Sequence, residues 1–374
     1  MLRSKDGVEI SDRRVMLVHM YPKCFVASEA VKWIQNNLSF TKEQAIFFCQ
    51  LLTTREFIHH CQNRSLKFAD NAEFWRFQYH EEGALNWKHV WVWDIESPPC
   101  KIVERLSENL LNLCKNAMEK DSKMDPKDDF TVITSPAQVF SSLVLTPEFE
   151  NFEYSVAELQ KVQLNGLDSK EKLAFWLNTY NLLSLHAIIV SLSRGENPYE
   201  GFISRKKYFS TQTYIVANMT FSLDDIEHGI LRPRNNYFGE GDERAQFKID
   251  GPDARIFSVL SCYNKSSPKT LIIKSENVDR FVDYACRRHF TSVKFQDYTM
   301  FIPKICDWYS SDYGTRDDLI KFVQSYLRHD QSMMLNTSFK TGKFSLKYLD
   351  FDWEIAFDLK DYNLDLRDPL LKNF

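Results

Sequence analysis

One stretch, Leu173 to Ile188 (LAFWLNTYNLLSLHAI), constrains this chain more than any other. It reads as a helix that is apolar nearly all round, and such a helix is normally buried. Yet it carries Asn178, Asn181 and His186. Burying an amide or an imidazole without partners costs on the order of a few kcal/mol. These side chains must therefore be hydrogen-bonded inside the protein or line an internal site, which places the helix at the centre of its domain. Its ends are punctuated. Asp168 can N-cap it with Glu171 at the third position, and Gly195 with Pro198 can terminate it. Asn178 and Asn181, three apart, share a face; His186 lies about two turns on and points elsewhere.

At 374 residues there is room for two or three domains. The start, MLRSKDGVEISDRR, is charged and lacks the apolar core of a signal peptide. No uninterrupted apolar run reaches the roughly 20 residues that span a bilayer, so no transmembrane segment is expected. The eight cysteines are scattered without a CxxC pair. That spacing predicts reduced thiols in a cytoplasmic protein, with no metal site and no cofactor. Residues 1–80 hold 11 Lys and Arg against 8 Asp and Glu, a net of +3, which leaves −7 for the remainder. A mildly basic first domain suits an anionic membrane surface, with peripheral attachment, or an acidic protein partner.

Within that first domain, Ser28–Asn36 has the apolar spacing of a helix, and a second helix should run from an N-cap at Thr41 to about Thr53. Two extended runs follow, EFIHH and KFADNAEFWRF, separated by CQNRS. Helix, helix and β-hairpin is the outline of a winged helix. As a DNA reader it is poor, because the second helix offers only Lys42 before its apolar run, so no nucleic acid is expected. The elements Arg14, YPKCFVASEAVKWI, Ala45, Leu51–Leu52, Ile58–His59–His60, Phe68–Ala69–Asp70 and Trp75–Arg76–Phe77 resemble a DEP domain, with Ala27 where that family usually has Gly. The resemblance implies an intracellular signalling protein with a recruitment module that docks to membranes or protein partners.

The expected fold class is α+β. A winged-helix-like DEP domain occupies 10–82, and an aromatic and helical bridge spans 83–129. It includes an amphipathic helix from Ile102 to Met118 and a charged linker, EKDSKMDPKDD. A mixed α/β domain over 130–355 is built around the buried helix at about 169–193, and a tail runs over 356–374.

Two further stretches of the large domain carry chemistry. In FSLDDIEHGILRPR, Ser222 and Asp225 form a helix-start signature, and Pro233 keeps the helix short. It presents Glu227, His228 and Arg232 together. A His beside a carboxylate suits a general base. In DARIFSVLSCYNKSSP, residues 256–260 have the low polarity of a buried strand, with Cys262 at its end. A thiol there becomes a nucleophile only if its pKa falls.

With the helix, these stretches and the landmarks ICDWYSSDYG and YLDFDW resemble the family catalogued as domain of unknown function 547, from about Phe130 to Trp353. The resemblance implies a mixed α/β domain and names no activity. The usual third motif is close to RIHFALNCGxxSCP. Here Phe257 stands for the His, Tyr263 for the Gly and Ser267 for the second Cys, while Cys262 keeps the first.

Two functional readings follow. The chain is a signalling or scaffolding protein recruited by its DEP domain, with the second domain as effector or partner-binding module. Alternatively it is a cysteine-dependent hydrolase of peptidase or amidase type. Cys262 is then the nucleophile and His228 or His186 the base, with Glu227, Asn178 or Asp352 orienting it.

Overall fold

The computed structural model describes residues 2, 7–15, 19–55, 57–63, 66–77, 83–122, 136–233, 237–251, 253–357 and 359. They divide into two compact units, 1–95 and 96–374. Most of the charged linker and nearly all of the tail lie outside the described residues.

The first unit begins with strands β1 (Ser11–Val15) and β2 (His19–Val26), then helices α1 (Ala27–Leu38) and α2 (Lys42–Thr54), then strands β3 (Ile58–His60) and β4 (Phe74–Phe77). Thr41 caps α2 as anticipated. Its hydroxyl accepts from the Gln44 amide, and the Gln44 side chain returns to the Thr41 N–H. The four strands form an antiparallel sheet in the order β1-β2-β4-β3, with Phe25 opposite Trp75. Trp75, Phe25, Ile34, Ala45 and Ile58 pack between the sheet and the two helices. The winged-helix outline is thus present, with an added hairpin, β1–β2, that had no clear sequence signal. Its second strand contains Pro22, and Lys23 sits at φ 47, so the alternation that marks a strand is broken. Trp93, in the aromatic bridge, is 64 % exposed.

In the second unit, helix α3 (Pro99–Ser122) is longer than the expected Ile102–Met118 and packs along the unit's central helix. Lys274 pins it through Glu104 at 3.2 Å and Glu108 at 2.9 Å. Then come α4 (Pro136–Leu143), α5 (Pro147–Val156) and the central helix α6 (Ser169–Ser193). Asp168 and Glu171 form the anticipated reciprocal cap of α6. Every residue from Ala174 to Ile189 is buried. By length and composition α6 is apolar enough to cross a membrane, although Asn178, Asn181 and His186 interrupt it as the sequence indicated. Its apolar window is nevertheless 94 % buried within the protein, as a core helix should be.

Around α6 sit α7 (Gly201–Thr211), the hairpin β5 (Thr213–Val216) and β6 (Met219–Ser222), and α8 (Val278–Phe290). A small sheet follows, with β7 (Lys294–Gln296) antiparallel and β9 (Ser345–Tyr348) parallel to β8 (Thr299–Ile302). Short helices α9 (Ile305–Trp308) and α10 (Ser310–Tyr313) precede α11 (Arg316–Tyr326) and α12 (His329–Lys340).

The stretch from Asp253 to Cys262 is not the buried strand its apolar pattern implied. Residues Ala254–Ser258 form a tight 3-10 turn, capped by the Asp253 side chain on the Arg255 N–H. The segment after it, 259–262, forms no strand and has none beside it. Its backbone groups are met by α6 instead. The Asn181 side chain accepts from the Ser261 N–H at 2.8 Å and donates to the Val259 carbonyl at 3.0 Å. Asn178 does the same for Ile273, accepting at 2.9 Å and donating at 2.8 Å. Each amide stands in for a neighbouring strand, and this satisfies buried backbone that would otherwise be orphaned.

Candidate functional site

Asn181 holds Val259–Ser261, and so sets where Cys262 emerges. The next residue, Tyr263, lies in the left-handed region at φ 54, the position where glycine is usual in the related motif. A non-glycine residue there costs on the order of 1–3 kcal/mol. The Tyr263 hydroxyl donates to the Asn181 carbonyl at 3.3 Å, and its buried ring helps hold that conformation. The Cys262 N–H donates to the Ser267 hydroxyl at 3.1 Å, and its carbonyl accepts from Tyr199 at 2.6 Å. Turn and thiol are thus tied down on both sides.

The wall facing Cys262 is a π-helical segment, Asp225–Leu231. Ser222 and Asp225 bond reciprocally at its start. Its wide turn ends on the Arg232 N–H, which reaches back five residues to the Glu227 carbonyl at 2.8 Å. Gly229 allows that packing: a Cβ there would lie 2.3 Å from the Phe238 ring. Such wide turns recur at functional sites because they re-aim side chains.

Glu227 is buried and accepts from the Tyr180 hydroxyl at 3.2 Å and from the Tyr309 hydroxyl. The Tyr180 oxygen is 3.7 Å from the Cys262 sulfur. Tyr180 gives its proton to the carboxylate, so its oxygen is the acceptor for the thiol. The chain of donors runs from Cys262 through Tyr180 to Glu227. Burial, with the Glu227 charge adding to it, pushes the Cys262 thiol up to about 12.

His228 lies beside Glu227, its Nδ1 3.9 Å from a carboxylate oxygen. That nitrogen is 3.1 Å from the Arg232 guanidinium, which can only donate. Nδ1 is therefore the acceptor, and the neutral ring carries its proton on Nε2. Arg232 is held by a bidentate pair with Asp312 and lies 4.2 Å over the Tyr309 ring. Tyr309 stacks in turn on Phe257, centroids 4.1 Å apart. Position 257, where the related motif usually has an imidazole, is thus filled by a ring that packs and cannot titrate.

Cys262, Tyr180, Asp224, Glu227 and His228 line one cavity of about 480 Å³. Its other walls are aromatic, with Phe202, Phe209, Trp308, Phe351 and Trp353, and Arg205 stacks 4.7 Å over Trp353. Three of the six proposed catalytic residues, Cys262, Glu227 and His228, are brought together here. The other three are not. His186 is sealed among Phe149, Phe152 and Tyr214, its Nδ1 2.9 Å from the Tyr214 hydroxyl. Asn178 is committed to Ile273. Asp352 is exposed, its carboxylate accepting from the Glu354 N–H. The spacing along α6 explains the first two corrections, because a helix buried all round points its polar groups at several different neighbours.

Burial pushes the His186 imidazole down to about 3. The unfolded chain, with an ordinary imidazole near 6.5, therefore binds a proton that the folded protein refuses between about pH 6.5 and 3. Stability from this group is complete above pH 6.5 and is lost as the pH falls through that window. The cost should reach the order of 3–5 kcal/mol near pH 3. Urea unfolding of native protein and His186→Gln between pH 7 and 4 should show a shallower acid loss in the variant; parallel curves would refute the assignment.

Residues 7–77 match the family model described as the domain found in Dishevelled, Egl-10 and Pleckstrin, or DEP. Residues 164–290 match the model of DUF547, a protein family of unknown function. The chain carries a DEP domain followed by a DUF547 domain. The DUF547 match contains α6, the π-helical segment and Cys262, and it stops before Tyr309, Asp312 and Trp353. From beyond that match Tyr309 and Trp353 line the Cys262 cavity, and Asp312 holds Arg232. Their motifs are visible in the sequence but carry no local signal of a role in this cavity. Tyr180 also went unassigned, although a hydroxyl on a helix buried all round was as strong a signal as the two asparagines.

Proposed function

We propose that this is a signalling protein in which the DEP domain recruits the chain to a membrane or protein partner and the DUF547 domain acts as a binding effector. One observation carries the reading of the second domain: the Cys262 sulfur is buried and feels the Glu227 charge, and both favour a protonated thiol. His228 has no lone pair to offer it, since Nδ1 faces Arg232 and Nε2 holds the proton. The aromatic walls supply apolar area for a ligand, and the cavity volume is within the usual range for small-molecule sites. The alternative reading, a cysteine-dependent hydrolase, draws its support from the shared cavity of Cys262, Glu227 and His228.

The recruitment half is tested by sedimentation of the full chain with phosphatidylserine vesicles. Arg14 and Lys67 are exposed on the DEP domain. Arg14→Glu with Lys67→Glu turns the net charge of residues 1–80 from +3 to −1. Membrane recruitment predicts binding at low salt that weakens by about tenfold or more in the double variant, each charge near the surface contributing about 1 kcal/mol. Binding indifferent to the reversal would exclude this surface. A native chain that does not sediment would leave a protein partner as the dock.

A further inference from the structure

A second cavity, of about 320 Å³, lies in the DUF547 domain against the other side of Ile305 and Phe351, which line both. Its charge is one-sided. Lys265, Lys269, Arg288, Lys294 and Lys304 line it against a single carboxylate, Asp350, a net of +4 in a chain whose total is −4. The cations arrive from separate parts of the fold: the loop after Cys262, the last turn of α8, strand β7 and the loop after β8. Such convergence is not a by-product of one helix face, and it raises the energy of the folded state through like-charge repulsion.

Nearby groups balance part of this charge. Lys265 pairs with Glu354, and Lys304 with Asp307 at 2.7 Å. The C-terminal end of α8 adds the equivalent of about half a negative charge. Asp352 also acts on Lys265, and Lys269 and Arg288 engage partners of their own, so what marks the site is the convergence of five cations in one lining and not a net local charge. Hydroxyls at Ser266 and Ser267 add polar oxygen to the same wall, and Ser267 also bonds the backbone of Cys262.

We propose that this cavity binds a small anion bearing two or more phosphate groups. Several cations from different directions match the many oxygens and multiple charge of a polyphosphate better than one carboxylate, which needs a single fork. The volume sits at the lower end for small-molecule sites, which suits a compact phosphorylated group and not an acidic polypeptide. The group can come from a free polyphosphate or from the headgroup of a phosphorylated lipid. Ser267 and the shared wall place it next to the Cys262 pocket, but the inference stands on charge and shape and does not depend on the state of that thiol.

The test uses the full chain with two probes: inorganic triphosphate by calorimetry, and phosphatidylcholine vesicles containing a phosphatidylinositol bisphosphate by sedimentation. Lys265 and Lys294 are exposed, so Lys265→Ala with Lys294→Ala should fold as the native chain does, checked by its melting curve. Triphosphate should bind, lose affinity with added salt, and bind the double variant about tenfold or more weakly. Lys340→Ala, an exposed cation elsewhere, should change nothing. If the vesicles also bind and respond to the same double variant, the source is lipid; if only triphosphate does, it is a soluble metabolite. Absence of binding to both probes, or binding that survives the double replacement, overturns the proposal. The DEP reversal of Arg14 and Lys67 should leave triphosphate binding intact, so failure of recruitment and failure of this site are separable.

Discussion

Asn181→Ala should destabilise the DUF547 domain by about 2–5 kcal/mol, because two buried backbone groups lose their partner at once. The Ser261 N–H and the Val259 carbonyl have the amide as their bonded neighbour, and no strand is available to replace it. Water cannot easily substitute at a position buried between α6 and the 259–261 segment. Asn181→Leu, which keeps the volume, should cost a similar amount, and that separates a hydrogen-bonding role from a packing one. The same logic applies to Asn178 and Ile273. Equilibrium urea unfolding of the full chain, followed through the tryptophans, reads the loss as a lowered midpoint. An unchanged midpoint for both Asn181 variants would mean that the amide is not holding the Cys262 segment.

The second large effect is chemical. With its thiol raised to about 12, Cys262 should be among the slowest cysteines to alkylate at neutral pH. Relative to an ordinary thiol near 8.5, the thiolate fraction falls by about three orders of magnitude. Cys61, half-buried on the DEP domain, should label first with iodoacetamide. Glu227→Gln should speed Cys262, since removing the neighbouring negative charge stabilises the thiolate. His228→Ala should leave it unchanged, because that ring is engaged with Arg232. Peptide mapping over a time course distinguishes the two readings of the pocket. If Cys262 labels first and slows on loss of His228, the hydrolase reading replaces the binding one.

Much of this protein was legible in local pattern. The two caps, at Thr41 and Asp168, and the short helix stopped by Pro233 follow from interactions that span three or four residues. The burial of α6 follows from its composition on every face, and the need to pair Asn178 and Asn181 follows from that burial. Such features depend on neighbours in sequence, so the chain declares them directly. The same holds for the DEP and DUF547 motifs, whose residues appear in order.

What only the tertiary structure decided is which group meets which. The apolar run before Cys262 has the composition of a strand, but a strand needs a partner, and here the partner is an asparagine on α6. His186 and His228 look equally eligible as bases until packing encloses one among phenylalanines and turns the other toward Arg232. Position 257 shows the same limit: the loss of an imidazole is plain in the sequence, while its replacement by a ring stacked on Tyr309 is not. The basic cavity is invisible to any window, because its lysines lie tens of residues apart and gain a common charge only when α8, β7 and two loops converge. Hydrogen bonds and capping are set by short separations along the chain, whereas a pKa, a pocket or a net local charge is a sum over groups that only folding brings within a few ångströms.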